Sequence, residues 1–484
     1  MPSDSLILAL DLGTSSTRTA LFDEAGIRLS QTTAQQTYPL VTSIDGAAEL
    51  EPAAMLGAVR NCLEQTMRVY RTDPALKARR IAGIGVSSFW HSVVGANAKG
   101  EAITRVLTWA DSRCRPDAAE LRKRIGEKSV HARTGCMLRA SFWPAKLAWL
   151  RRTDPKLFSR VKQWMSPAEW LQLILTGHAN CAIGMATGTG LFTPAKLKWD
   201  TDLLKTCQVE VSQLRPLSDE PLPVAGQLAT QIPELKDVPW FPAIGDGAAS
   251  NLGSGATRPG FAAINFGTSG ALRVMKEGRE AKAPFGLFCY RVDAARYLVG
   301  GAISNAGNLR AWCLRELRLP DEAAIEAELA KRPAPSPGLN VLPFWTAERA
   351  PHWNEEQTGA IFGITQHTTA LDLYQAITEA SYQRLACIAE LVLAEEKTAP
   401  KFIVSGGIQR SAQALQRLAD VLDQPVYPND EMEASIRGAA IYVLEKLGVK
   451  QPEPKFGKPI KPRSTYARLY ADLREKQRKL EEML

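Results

Sequence analysis

The sequence predicts an α/β protein of two similar domains that face each other across a cleft. Three observations carry this: a strand–turn–strand unit at the start recurs near the middle, strands elsewhere alternate with helical stretches, and 484 residues leave room for two full domains. The first unit is an apolar strand, Leu6 to Leu10, running into Asp11, Leu12, Gly13, Thr14, Ser15 and Ser16 and returning along Thr19 to Phe22. The second runs from Phe261 through Asn265, Phe266, Gly267, Thr268 and Ser269 to Gly270, with Leu272 and Val274 beyond. An ungapped alignment sets Asp11 on Asn265, Gly13 on Gly267, Thr14 on Thr268, Ser15 on Ser269 and Arg18 on Leu272.

Between the copies, Ile81 to Val86 reads as a buried strand, and Pro144 to Leu150 and Pro167 to Leu175 read as helices opening at proline. After the second copy, Asp372 to Leu393 has the spacing of a long buried helix, and Phe402 to Val404 is a short strand entering Ser405-Gly406-Gly407. The boundary falls near residue 245, giving domains 1–244 and 245–450. Residues 451–463, rich in proline and lysine, read as an exposed linker, and Tyr466 to Leu484 as an amphipathic helix that packs on the body. Ligands are expected where the two domains meet.

Composition narrows the class. At 45% hydrophobic and 23% charged the chain is globular, and no apolar run approaches the ~20 residues that cross a bilayer. The first residues lack the basic segment and apolar core of a secretory signal, so the expected location is the cytoplasm, with no membrane partner. The net charge of +8 suits anionic ligands, yet the basic residues are dispersed and not interleaved with aromatics, so no nucleic-acid partner is expected. The eight cysteines form no CxxC pair and suggest neither zinc nor disulfides. Oligomeric state is not legible; a homodimer is compatible with everything above.

The repeated turn has a chemical logic. Glycine lets backbone approach a ligand, successive N–H groups and hydroxyls are donors for phosphate oxygens, and Asp11 is suited to hold Mg²⁺ directly or through water. A plain β-turn also favours Gly, Thr and Ser, but two aligned copies weigh against that. No GxxxxGK[ST] occurs, which argues against a P-loop fold.

These turns, with Trp109-Ala-Asp-Ser-Arg113, Gly245-Asp246-Gly247, Glu348 to Trp353, Gly359 to Ile364, Ser405-Gly406-Gly407 and Glu433 to Ala440, resemble the FGGY carbohydrate kinases, in family order from about Leu6 to Leu447. The resemblance implies two actin-like ATPase (ribonuclease H-like) domains and transfer of a phosphoryl group from ATP, with Mg²⁺, to a sugar hydroxyl. It implies that Asp246 is the catalytic base, which suits an alcohol that becomes a good nucleophile as its proton leaves toward a carboxylate. Helix capping is the alternative for Asp246, ahead of a helix read to open at Ala248, and both roles are compatible. The resemblance places the sugar against His91, Trp109, Asp111, Arg113 and Asp246, although Asp111 with Arg113 also reads as a local ion pair. It assigns phosphate contacts to Gly13, Thr14, Ser15, Arg18, Gly267 and Thr268, and the adenosine to Gly406 and Gly407.

Family members act on different polyols, pentuloses and sugar acids. The stretches Trp164 to Trp170, Cys181 to Phe192 and Gly245 to Gly255 are most similar to the gluconate-kinase branch, so D-gluconate is the expected substrate and 6-phosphogluconate the product, with a pentulose such as xylulose as the alternative. Two positions depart from the family pattern: Trp143, where a small hydroxyl residue or proline is usual, and Thr378, where a bulky apolar one is. Both are expected to lie away from the chemistry, the first bearing on substrate shape. A chaperone-like ATPase would need a peptide-binding domain for which no segment is left, and a sugar-binding regulator without turnover has no need of both Asp11 and Asp246.

Overall fold

The computed structural model describes residues 4–336, 338–429, 431 and 433–483. Met1 to Ser3 of the N-terminal reading and Leu484 of the C-terminal helix lie outside the described residues. The first half is built on a sheet of β1 (Ser5–Leu12), β2 (Ser16–Phe22), β3 (Ala34–Thr37), β4 (Arg80–Ser88), β5 (Leu222–Pro223), β6 (Pro239–Trp240) and β7 (Ile244–Gly245), in the order β5-β6-β4-β1-β2-β3 with β7 also on β4. The second half has a sheet of β8 (Phe261–Phe266), β9 (Gly270–Glu277), β10 (Phe288–Arg291), β11 (Arg296–Ile303), β12 (Lys401–Ser405) and β13 (Val426–Pro428), ordered β10-β11-β9-β8-β12-β13. Each sheet centres on the same unit, an antiparallel hairpin (β1 with β2, β8 with β9) whose first strand has a parallel neighbour, β4 or β12.

Strand β1 is buried along its whole length, as a central strand covered on both faces must be, which is why it reads as a continuous apolar run. Helix α1 (Pro52–Thr72) packs on β2 and β3. The helices read from proline are present as α2 (Trp143–Thr153) and α3 (Pro167–Thr176), the latter with a full capping box from Ser166 and Glu169. The long helix after the second copy is α6 (Ala370–Leu393), preceded by α5 (Gly307–Glu316) and followed by α7 (Ala412–Leu422). All eight cysteines are free and buried.

Sequence order and spatial order part company at the junction. Helix α4 (Asp246–Ser254) crosses α8 (Ala434–Lys446) so closely that a Cβ on Gly253 would lie 1.8 Å from the Ala434 carbonyl oxygen, and one on Gly438 would lie 1.8 Å from that of Ala249. Only glycine fits there. Helix α8, late in the chain, also packs on β1 and β4 of the first sheet, so one apolar core runs through both halves. Residues 451–463, read as an exposed linker, are exposed or half-buried throughout and touch the body at a few points: Phe456 packs on Phe261 with ring centres 5.7 Å apart, and Ile460 pairs with Val426. They lead to α9 (Ser464–Met483), which buries Ala467, Tyr470 and Gln477 against the body.

Candidate functional site

Two cavities meet at the second turn. The larger, about 650 Å³, lies between the halves and is lined by Thr14, Ser15, Trp109, Asp111, Thr268 and Arg349 among others. The smaller, about 330 Å³, lies within the second half against Gly267, Thr268, Tyr374, Tyr382, Gly407 and Arg417. Thr268 lines both. The two spaces are of a size for small ligands, and the hydroxyls and N–H groups at their junction suit phosphate oxygens.

The first turn is closed by a hydrogen bond from the Gly13 N–H to the Ser16 carbonyl, 2.9 Å, and is clamped by Tyr38, whose hydroxyl donates to the carbonyl of Gly13 and whose N–H donates to that of Ser15. Asp11 is buried at its base. The Ser435 hydroxyl donates to Asp11 Oδ2 at 2.8 Å, from the first turn of α8. Burial raises the Asp11 carboxyl above its ordinary value, opposed by the hydroxyls of Ser87 and Ser435 and by Arg18. Arg18 stands opposite Asp11 in the β1–β2 register and makes an ion pair with Glu433 just before α8. A single carboxylate beside hydroxyl-lined turns is a donor set that suits Mg²⁺, which takes one or two carboxylates and completes its shell with phosphate oxygens and water. Among the described residues no group of three or more acidic, histidine or cysteine side chains forms an all-protein metal site.

The second turn is tighter by one residue. The Gly267 N–H reaches the Ser269 carbonyl at 3.0 Å, and Phe266 pairs directly with Gly270. The residue opposite Asn265 is therefore Ala271, not Leu272 as the ungapped alignment has it, and it is Ala271 that occupies Arg18's place. The turn is held from below by the start of α5, where the N–H groups of Gly307 and Asn308 donate to the carbonyls of Gly267 and Thr268 at 2.9 and 3.1 Å. Asn265 Nδ2 donates to Ser405 Oγ at 3.3 Å. The next residue, Gly406, has φ +95°, and a Cβ there would sit 2.8 Å from the Phe266 carbonyl oxygen, so this bend requires glycine. Gly406 shapes the bend, while Gly407 lines the smaller cavity. Thr378, expected away from the chemistry, also lines that cavity, its hydroxyl turned back to the Tyr374 carbonyl at 2.9 Å.

Asp246 opens α4 itself. The helix begins two residues before Ala248, its N-cap is Gly245, and Asp246 Oδ1 accepts from the adjacent Gly247 N–H at 2.8 Å, so the carboxylate is not the cap. Asp246 keeps exposed surface but sits deep between the halves, and this withdrawal from bulk water raises its carboxyl. Arg273 and the Gly247 N–H oppose that rise, and Asp11 adds to it. Sequence reasoning passed over the two arginines beside it. Arg349 lay inside the quoted Glu348–Trp353 motif and Arg273 one residue beyond the alignment of the turns. Arg349 donates to Ser304 Oγ at 3.1 Å and to the Ile303 carbonyl at 3.0 Å, and lies 5.2 Å over the Trp109 ring. Burial, with Arg273 nearby, lowers Arg349 to about 10, which leaves it charged at neutral pH.

His91 adopts φ +66°, with Nδ1 2.6 Å from the Gly188 carbonyl oxygen and its ring against Phe142 and Tyr290. Burial lowers it to about 3, so the imidazole is neutral; the carbonyl requires the proton on Nδ1, and Nε2 is left as an acceptor. Trp109 and Asp111 line the larger cavity, but Arg113 stands behind it. Arg113 grips Asp111 at 2.6 Å, pairs with Glu49 and stacks 4.3 Å over Trp149, so the local ion pair is real and Arg113 fixes Asp111. Trp143 donates from Nε1 to the Ser92 carbonyl at 3.2 Å, and Ser92 Oγ accepts the Trp109 N–H at 3.1 Å, so that departure backs the cavity wall.

The cavity walls are braced from the chain's end. Glu348, in the larger cavity, pairs with Arg384 on α6, which pairs in turn with Glu481 on α9; Arg417, in the smaller one, pairs with Glu379 at 3.0 Å.

Two ribonuclease H-like halves joined at an interdomain cleft, each offering a Gly-Thr-Ser turn to it, define the actin-like ATPase class. Family models agree on a narrower group: the N-terminal domain of the FGGY family of carbohydrate kinases matches residues 6–253 and the C-terminal domain matches residues 262–444. The chain belongs to the FGGY family, and is a sugar kinase that uses ATP. It is 28% identical over 460 residues to the gluconokinase of Bacillus subtilis (strain 168), covering 92% of this chain and 88% of that one. It is 27% identical over 463 residues to the glycerol kinase of Brucella ovis, covering 92% and 90%. Among solved structures, a gluconate kinase and a xylulose kinase from Lactobacillus acidophilus each superpose with a TM-score of 0.90 at 25% identity, covering 100% and 99% of this chain and 98% of each of theirs. Among the described residues no helix is long and apolar enough to cross a membrane.

Proposed function

We propose that the chain phosphorylates the terminal hydroxyl of a sugar acid, D-gluconate to 6-phosphogluconate, with Asp246 as the base. The observation that carries the reading is the Asp246 carboxylate: unclaimed except by its neighbour's N–H, deep between the halves, and electrostatically coupled to both Asp11 and the two arginines. The gluconokinase relatives support the sugar acid, and the xylulose kinase likeness supports a pentulose as the second reading. Residues 1–244 supply the sugar side through His91, Trp109 and Asp111, with Arg113 holding Asp111, and residues 245–450 supply the base and the adenosine side through Gly406 and Gly407.

Asp246 takes the proton of the attacking hydroxyl as its oxygen bonds to the γ-phosphorus and the bond from that phosphorus to the β–γ bridging oxygen breaks, leaving ADP. Gly13, Thr14 and Ser15 face the transferred group, and Gly267 and Thr268 hold the leaving diphosphate. Mg²⁺, with Asp11 as its protein ligand, would supply charge neutralisation on the phosphates. Arg18 is tied to Glu433 and acts here by joining the first hairpin to α8.

The test is coupled ADP release from D-gluconate, D-xylulose, L-ribulose, glycerol and L-fuculose, for the wild type and Asp246→Asn. Turnover on D-gluconate, reduced about a hundredfold or more in the variant, is the expected result. Turnover on a pentulose alone keeps the base and overturns the substrate. The sign of the pH dependence follows from the raised carboxyl: Asp246 accepts a proton only when ionised, so kcat/KM climbs as pH rises through its pKa, which burial raises above the ordinary aspartate value. An unaltered acid limb in Asp246→Asn would assign that limb to another group.

A further inference from the structure

Among the described residues, Arg273 is the one guanidinium with two buried nitrogens, Nε and Nη1, that meet no hydrogen-bond partner. The contrast with Arg291, on β10 two strands away in the same sheet, is instructive. Arg291 is fully buried and spends its N–H groups on the carbonyls of Pro194, Gly278, Ala294 and Arg279, as a structural arginine does. Arg273 is left with donors to spare in a place where unpaired donors are costly.

Its position is fixed by close packing. A Cβ on Gly247 would lie 2.8 Å from Arg273 Nε and 3.0 Å from Cζ, so the guanidinium rests on the opening of α4, beside Asp246. Arg349 lines the larger cavity together with Thr14, Ser15 and Thr268, while Arg273 lies against Gly247, next to the base. Arg349 is committed to Ser304 and Ile303, which leaves Arg273 as the uncommitted cation. Two guanidiniums against one carboxylate leave a surplus positive charge near the base, which suits an anionic acceptor.

We propose that Arg273 selects the acceptor by binding its carboxylate at the end of the molecule remote from the hydroxyl that Asp246 deprotonates. This rests on the sugar-acid reading and adds the residue that enforces it. An anion at Arg273 has a second source, a phosphate of ATP, and the kinetics separate the two because a carboxylate contact acts on the acceptor's KM alone.

The experiment measures kcat and KM for D-gluconate and for ATP in the wild type, Arg273→Met and Arg273→Lys, with D-glucitol, the same carbon chain without the carboxylate, as a competitor. The expected result for Arg273→Met is a rise in the D-gluconate KM of about thirtyfold or more, with the ATP KM within about threefold and partial recovery in Arg273→Lys. D-Glucitol should compete with D-gluconate relatively better in the Met variant than in the wild type. A parallel rise in the ATP KM would assign Arg273 to phosphate, and an unaltered D-gluconate KM would reduce it to packing; either overturns the proposal. If Arg273→Met does not fold, judged by its thermal transition with ATP present, Arg273→Lys decides on the same KM comparison. Failure of the sugar-acid reading is visible separately, in a wild type that turns over no sugar acid.

Discussion

The two hairpins share a fold and a Gly-Thr-Ser turn but are held in opposite ways. The first carries a carboxylate, Asp11, and is tied to a helix from the far end of the chain through Ser435 and through Arg18 with Glu433. The second carries the neutral Asn265, is one residue shorter, and is held within its own half by the start of α5 and by Ser405. The two donor turns therefore differ: one is charged and tied across the junction between halves, and the other is neutral and held within its own half. A phosphoryl transfer site needs such an asymmetry, since the leaving diphosphate has to be held still while the transferred group changes partners.

Substitutions at the two turns test this contrast. The largest effect is expected at the carboxylate: Asp11→Asn should lower kcat by about a hundredfold or more with ATP still bound, whereas Asn265→Ala should cost less than about tenfold, both read by coupled ADP release and nucleotide titration. Equal losses would make the two turns equivalent. Next comes the bend behind the second turn, where any side chain meets the Phe266 carbonyl: Gly406→Ala should raise the ATP KM by about tenfold while the sugar KM stays within about twofold. The smallest effect is expected at the tie of the first hairpin. Arg18 and Glu433 are each more than a quarter exposed, so Arg18→Met and Glu433→Gln should each cost only about two- to fivefold in kcat/KM, and the double variant no more than the worse single one. A loss of a hundredfold in Arg18→Met alone would return Arg18 to the phosphates.

The same contrast explains what was legible beforehand. Both turns, the parallel strands beside them and the proline-started helices were readable because each rests on local chemistry: an apolar run, a glycine that lets backbone approach, a proline at the first turn of a helix. The family motifs pointed to Trp109, Asp111 and Gly407, which border the two cavities. Arg273 was not legible, because nothing local distinguishes an arginine that spends its donors on carbonyls, like Arg291, from one that keeps them free. Nor was Arg18's engagement, since its partner Glu433 lies more than four hundred residues away. That Thr378 borders the smaller cavity was not legible either: a position on a long buried helix gives no sign of which neighbour has left a cavity beside it.

Periodicity and turn chemistry act over a few residues, and they were enough to give the architecture of two hairpin-centred α/β halves, the family, and the residue types that meet at the cleft. How those residues are spent is settled in three dimensions. The folded chain fixed the one-residue difference between the turns, the crossing of α4 and α8 that carries a late helix onto the first sheet, the retreat of Arg113 behind Asp111, and the free guanidinium beside the base. The physical reason is common to all four: hydrogen-bond capacity and charge are satisfied by whatever lies near in space, and at this junction the neighbours come from opposite ends of the chain.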